Sequence, residues 1–124
     1  MKNRVKIIFI ICISFLFYKC YYDKASQVYP QQGSCDTTNI RLSVELNAIM
    51  NASCMSCHAG NANNGGGIKL QDYTTISKIA NNGTLLSSIS WDGKVAQMPQ
   101  GGAKLSDCDI NKFKAWINAG APNN

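Results

Sequence analysis

The chain is poor in the residues that most enzymes rely on. His58 is its only histidine among 124 residues, so there is no spare imidazole for proton transfer. Charged residues make up only 15% of the chain. No basic stripe with interleaved aromatics occurs, and no nucleic-acid partner is expected. No segment alternates apolar and polar residues as a half-buried strand does, and no internal repeat is present. No apolar run reaches the roughly 20 residues that a membrane-spanning helix needs.

The longest almost wholly apolar stretch, Val5 through Tyr18, has fourteen residues and overlaps a basic start of Lys2, Arg4 and Lys6. A basic start before a short apolar core reads as an export signal over residues 1–19. An uncleaved anchor helix is the alternative. Cys20 follows at once, and its position resembles the lipidated cysteine of bacterial lipoproteins. The sequence departs from that pattern at Lys19, where such sites favour a small residue. The resemblance implies a lipoprotein held at a membrane through Cys20, in the bacterial cell envelope and facing the periplasm. Residues 20–36 are polar, end in Pro30-Gln31-Gln32-Gly33-Ser34 and beyond, and suit a tether without a core.

The formal charge of +5 belongs mostly to the leader. Removing Lys2, Arg4, Lys6 and Lys19 from the twelve basic residues leaves eight, against seven acidic ones. A mature chain near +1 offers no electrostatic steering toward an acidic or basic partner. About 90 residues remain for a domain over 37–124, a size that often needs a staple or cofactor.

Helical signals dominate that domain. Ser43 is placed to cap a helix to about Ala52, with Val44, Leu46, Ile49 and Met50 inward. Asp72 is a candidate N-cap for a helix of Tyr73 to Ala80, with Tyr73, Ile76 and Ile79 inward. Thr84 to Ser90 forms a short helix burying Leu85, Leu86 and Ile89. Residues 91–104 read as an extended loop, broken by Gly93, Pro99, Gly101 and Gly102. Ser106 and Asp109 form a capping-box-like pair before a final helix. Its inner face is Ile110, Phe113, Trp116 and Ile117, and Gly120 stops it. The expected class is all-α, with about three to five helices.

The chemistry lies in Cys54-Met55-Ser56-Cys57-His58, which has the Cys-x-x-Cys-His spacing of covalent haem attachment. Two thiols three residues apart on a helical turn match the two porphyrin vinyl groups. The histidine that follows points at the iron from the same face. Cys54 and Cys57 are therefore expected to form thioethers to one haem c, with His58 as an axial iron ligand. A thioredoxin-like dithiol would need a βαβ setting, which is missing. A zinc site would need two more ligands, and only the distant Cys35 and Cys108 remain.

Met98 is the candidate for the second axial position. It precedes Pro99 in the loop before the last helix and belongs to no helical stripe. Met50 and Met55 sit on or beside the haem-attachment turn, on the wrong side. At this point the chain resembles a small class-I-type monohaem cytochrome c over about Thr37 to Asn124. The residues that carry the resemblance are a helix before Cys54–His58, Met98-Pro99 in a distal loop, and the terminal Trp116-Ile117-Asn118-Ala119-Gly120-Ala121. It implies three to five helices wrapped around one haem, with the loop methionine closing the distal side. A His58/Met98 pair raises the potential relative to bis-histidine ligation.

The remaining cysteines divide without remainder. Cys12 leaves with the signal, and Cys35 and Cys108 form a pair in an oxidising compartment. A bridge is expected, the alternative being a buried thiol at Cys108 and a solvent thiol at Cys35. Tyr73, Trp91, Gln97 and Trp116 are further candidates for lining the haem or binding its propionates. Asn63 and Asn64 are weaker ones, and Arg41 is the nearest thing to a distal arginine. The expected function is one-electron transfer rather than catalysis. The partner would be a redox protein or respiratory complex, with no small-molecule substrate. A five-coordinate haem that senses gas or reacts with peroxide is one alternative. A non-catalytic haem subunit of a larger envelope complex is another.

Overall fold

The computed structural model describes residues 35–124. The expectations for the signal, Cys12, Cys20 and the tether up to Ser34 lie outside the described residues. The described chain is helical and contains no strand. A wide π turn, Leu42–Leu46, runs directly into α1, Asn47–Ser53. The other helices are α2 (Met55–His58), α3 (Tyr73–Asn81), α4 (Thr84–Ser90) and α5 (Asp107–Asn118). No helix among the described residues is long and apolar enough to cross a membrane.

One apolar core joins them. Leu46 and Met50 meet Ile76 and Ala80 of α3, Leu85 and Ile89 of α4, and Ile110, Phe113 and Trp116 of α5. Trp116, Phe113, Leu46 and Ile76 are the largest fully buried side chains. Each contributes on the order of 1.5–3 kcal/mol through removal from water. Val44, expected inward, is 46% exposed. The π turn holds an extra residue per turn, so the 3.6-residue spacing that grouped Val44 with Leu46 does not apply there.

The helix ends show local chemistry and its limits. Ser106 caps α5: its Oγ accepts from the Asp109 N–H at 3.1 Å. The Asp109 carboxylate accepts from that same hydroxyl at 2.7 Å instead of closing a reciprocal box on the Ser106 backbone. At the far end Gly120 has φ +91°, which a side chain resists. This lets the Gly120 N–H reach Ile117 O and the Ala121 N–H reach Trp116 O, a Schellman closure. Asp72 does stand at the N-cap of α3, but its side chain makes no capping bond. Ser43 lies inside the first helix and does not cap it. The free N–H groups of Leu42 and Ser43 instead donate to Asn124, at 2.8 Å to its side-chain Oδ1 and 2.9 Å to its backbone oxygen.

Cys35 and Cys108 are bonded, with Cα atoms 5.4 Å apart. The bridge ties the start of the described chain to the first turn of α5, and so stands where the cysteine count put it.

Candidate functional site

The site grows from the break between α1 and α2. Cys54 has φ −123°, outside the helical range, so α1 stops and a new turn begins. Cys57 N–H and His58 N–H both donate to Cys54 O, at 3.1 and 3.0 Å. The whole Cys-x-x-Cys-His sequence is therefore one closed turn. Cys54, Cys57 and His58 all line the same cleft. Cys57 is exposed at its rim and Cys54 is half-buried. Burial pushes the Cys54 thiol above its ordinary pKa, because the thiolate loses solvation.

His58 is nearly buried, at 9% exposure, and its ring is held from behind. Nδ1 lies 2.9 Å from the carbonyl oxygen of Ile68. A carbonyl only accepts, so Nδ1 donates to it, and in the neutral ring the lone pair is then on Nε2. That is the tautomer a metal ligand needs, with the second nitrogen oriented by a backbone acceptor. The glycine-rich segment delivers this carbonyl. Ala62 O accepts from both Gly65 N–H and Gly67 N–H, and Ile68 N–H donates to Gly65 O, which turns the chain back over the imidazole. Gly65 is pressed against that ring: a Cβ there would stand 2.5 Å from His58 Nδ1 and 2.7 Å from Cys57 O. The sequence pattern marks these glycines only as loop. The run Gly65-Gly66-Gly67 so close after the histidine was the available signal of a close backbone approach.

The opposite wall comes from α4 and the loop after it. Leu85, Ile89, Val95 and Pro99 line the cleft, and so does Met98. The cleft has a volume of about 230 Å³ and is predominantly apolar. No Lys, Arg, Asp or Glu is among its lining residues. The fold thus brings together the four side chains singled out from sequence: Cys54, Cys57, His58 and Met98. Met50 is buried in the core, and Met55 packs against that core rather than lining the cleft.

The weaker candidates fall elsewhere. Tyr73 donates its hydroxyl to Ala121 O at 3.1 Å, and Trp116 donates its indole N–H to Pro122 O at 2.9 Å. Both tie the C-terminal segment to the core. Trp91 donates to Met98 O at 2.7 Å. Gln97 is exposed, and none of these four lines the cleft. Asn64 does line it and Asn63 does not. Gln100, Thr84 and Ser88, none of them a site candidate from the sequence, supply polar groups to the lining. Arg41 forms an ion pair with Glu45 at 2.7 Å and is absent from the lining. Among the described residues no three His, Cys, Asp or Glu side chains gather as a metal site. No family model, curated protein or solved structure matches the chain.

Proposed function

We propose that the protein is a one-electron carrier that holds a single covalent haem c in the cleft between α2 and α4, in a class-I-like cytochrome c arrangement. The supporting observation is the convergence of two free thiols, one imidazole held through Nδ1 by a backbone carbonyl and one loop thioether on a single apolar cleft without Lys, Arg, Asp or Glu. The donor set fits the group. Cys54 and Cys57 would form the thioethers, and His58 Nε2 and Met98 Sδ would ligate the iron. When bound, the haem supplies a reversible ferric/ferrous couple. A zinc centre fits less well, because it needs about four protein ligands and no such gathering occurs among the described residues.

The chain's own part is to hold, orient and desolvate. Ile68 O fixes the His58 ring and keeps its proton on Nδ1. The apolar lining would keep water from a bound haem, which favours the less charged ferrous state. The exposed Cys57 rim is the side from which an electron would enter or leave. Beyond the four haem-binding candidates the lining offers only hydroxyl and amide side chains as polar groups, Ser53, Ser56, Thr84, Ser88, Asn64 and Gln100, which suits a carrier. The partner would be a redox protein or respiratory complex. Export by residues 1–19 and lipidation at Cys20 would place the carrier on a membrane, facing the periplasm.

The test is a pyridine haemochrome spectrum of mature protein exported together with its haem-attachment machinery. A c-type spectrum is expected, and Cys54→Ala or Cys57→Ala should shift it toward a single-thioether type. Absence of any c-type band ends the reading. Ferric wild-type protein should show the weak far-red sulfur-to-iron charge-transfer band, and Met98→Ala should abolish it. High-spin ferric protein that binds carbon monoxide rapidly once reduced would replace the carrier with the five-coordinate sensor or peroxide-reactive alternative. Metabolic labelling with a radioactive fatty acid, lost in Cys20→Ala, tests the anchor.

A further inference from the structure

Trp91 is an anomaly that the core does not explain. It ends α4 with φ 59° and ψ 41°, the left-handed region that bulky side chains avoid. It is half-buried, yet it is not among the side chains packed on the hydrophobic core. A strained residue persists when its surroundings hold it there. Here Asp92 does so, because its carboxylate accepts from both the Ser87 hydroxyl and the Lys94 N–H. The strained backbone aims the indole N–H at the carbonyl of Met98, 2.7 Å away. From the other side the Met98 N–H donates to Ser88 O at 3.0 Å. Both backbone polar groups of Met98 are thus pinned to the end of α4. Among the described residues these two bonds alone tie residues 95–104 by hydrogen bonding to any helix.

We infer that Trp91 is a positioning residue for Met98, and that its indole N–H holds the loop sulfur over the cleft against competing ligands. The inference deepens the reading of Met98 as an axial ligand and rests on it. Thioether sulfur binds iron weakly, so its occupancy depends on how firmly the loop presents it. A glycine at position 91 would relax the backbone but would leave Met98 O without this donor. The strained tryptophan is retained, on this reading, because the indole reaches a carbonyl that a smaller residue cannot.

The experiment uses exported, haem-loaded protein and titrates imidazole as a competitor for the Met98 position, read by loss of the far-red band. Trp91→Phe removes the donor and keeps an aromatic ring. Replacing Trp91 with benzothienylalanine keeps the ring's shape and loses only the N–H. Both variants should bind imidazole roughly three- to tenfold more tightly than wild type, the effect of one hydrogen bond. Ser106→Ala, which weakens α5 at a point outside the cleft, should lower stability and leave imidazole affinity unchanged. If wild type shows the band and benzothienylalanine leaves imidazole binding unchanged, the positioning role is overturned and the ligation reading stands. If wild type shows no band, the ligation reading fails and takes the positioning role with it. If Ser106→Ala shifts imidazole binding as much as the Trp91 variants, the effect is general destabilisation and the inference is wrong.

Discussion

Gly65→Ala probes the proximal side with a single methyl group. Gly65 does not have a left-handed backbone, so the substitution carries no conformational penalty of that kind. The obstacle is steric. The new Cβ would lie 2.5 Å from His58 Nδ1, 2.9 Å from His58 Cε1 and 2.7 Å from Cys57 O. The carbonyl belongs to the Cys54–His58 turn and cannot swing away without opening it. The imidazole cannot tilt without losing Ile68 O. Overpacking of this kind costs about 1–3 kcal/mol. Loss of the His58 hydrogen bond adds about 0.5–1.5 kcal/mol. The sum is about 1.5–4.5 kcal/mol, or a fall in Tm of the order of 10 °C or more for a domain this small. Gly66→Ala is the control, with φ +62° and nothing within 4 Å of its Cβ. It meets only backbone strain, about 1–2 kcal/mol. Urea unfolding of exported protein, followed by circular dichroism, gives both values. The far-red band and the reduction potential should also move in Gly65→Ala and stay in place in Gly66→Ala. A Gly65→Ala protein no less stable than Gly66→Ala, with an unchanged spectrum, would refute the claim that this glycine seats the histidine.

Further outcomes follow from the same contacts. Breaking the Cys35–Cys108 bridge with Cys35→Ser and Cys108→Ser together should destabilise the domain by roughly 4 kcal/mol in the chain-entropy account, given a sequence separation of 73. Alkylation of unreduced mature protein should find no reactive thiol at either position. Asn124→Ala should lose about 1 kcal/mol in urea unfolding, because its side chain caps the first helix at Leu42. Acid should weaken the fold through Glu45, whose carboxyl is held down at about 2, from an ordinary 4.5, first by the Arg41 side-chain hydrogen bonds. A depressed folded-state pKa gives stability that is present above about pH 4.5 and lost as pH falls toward 2. Asp36 and Asp92, lowered by hydrogen bonds from Thr38 and Ser87, act in the same direction. Urea midpoints measured across that window should fall less steeply in Glu45→Gln, and an identical slope would contradict the assignment.

Much of the fold and of the site was legible because it is local. The Thr84–Ser90 helix, the Ser106 cap and the Gly120 stop are set by bonds between residues a few positions apart. So is the Cys54–His58 turn: Cys54 O, Cys57 N–H and His58 N–H lie within five residues and close one hydrogen-bonded turn. Where the local rule had an exception, the reading missed. The π turn left Val44 in solvent, and Asp109 answered the Ser106 hydroxyl rather than its backbone. Trp116 and Tyr73 were suspected of serving the site because they are large and amphipathic. Burial among core residues and bonds to Pro122 O and Ala121 O made them structural.

The sequence by itself determined which residues hold donor atoms and how the helices begin and end, because those depend on chemistry within a turn. Only the tertiary structure decided which donors meet. The carbonyl of Ile68 sets the His58 tautomer, yet a carbonyl has no sequence signature, since every residue has one. Gly65 is confined by the ring beside it, and Asn124 caps a helix 82 residues away. Met98 was legible as a candidate, but its presence on the same cleft as His58 follows from α4 and its loop lining the cleft together with α2. The indole bond from Trp91 follows from the backbone turn that ends α4.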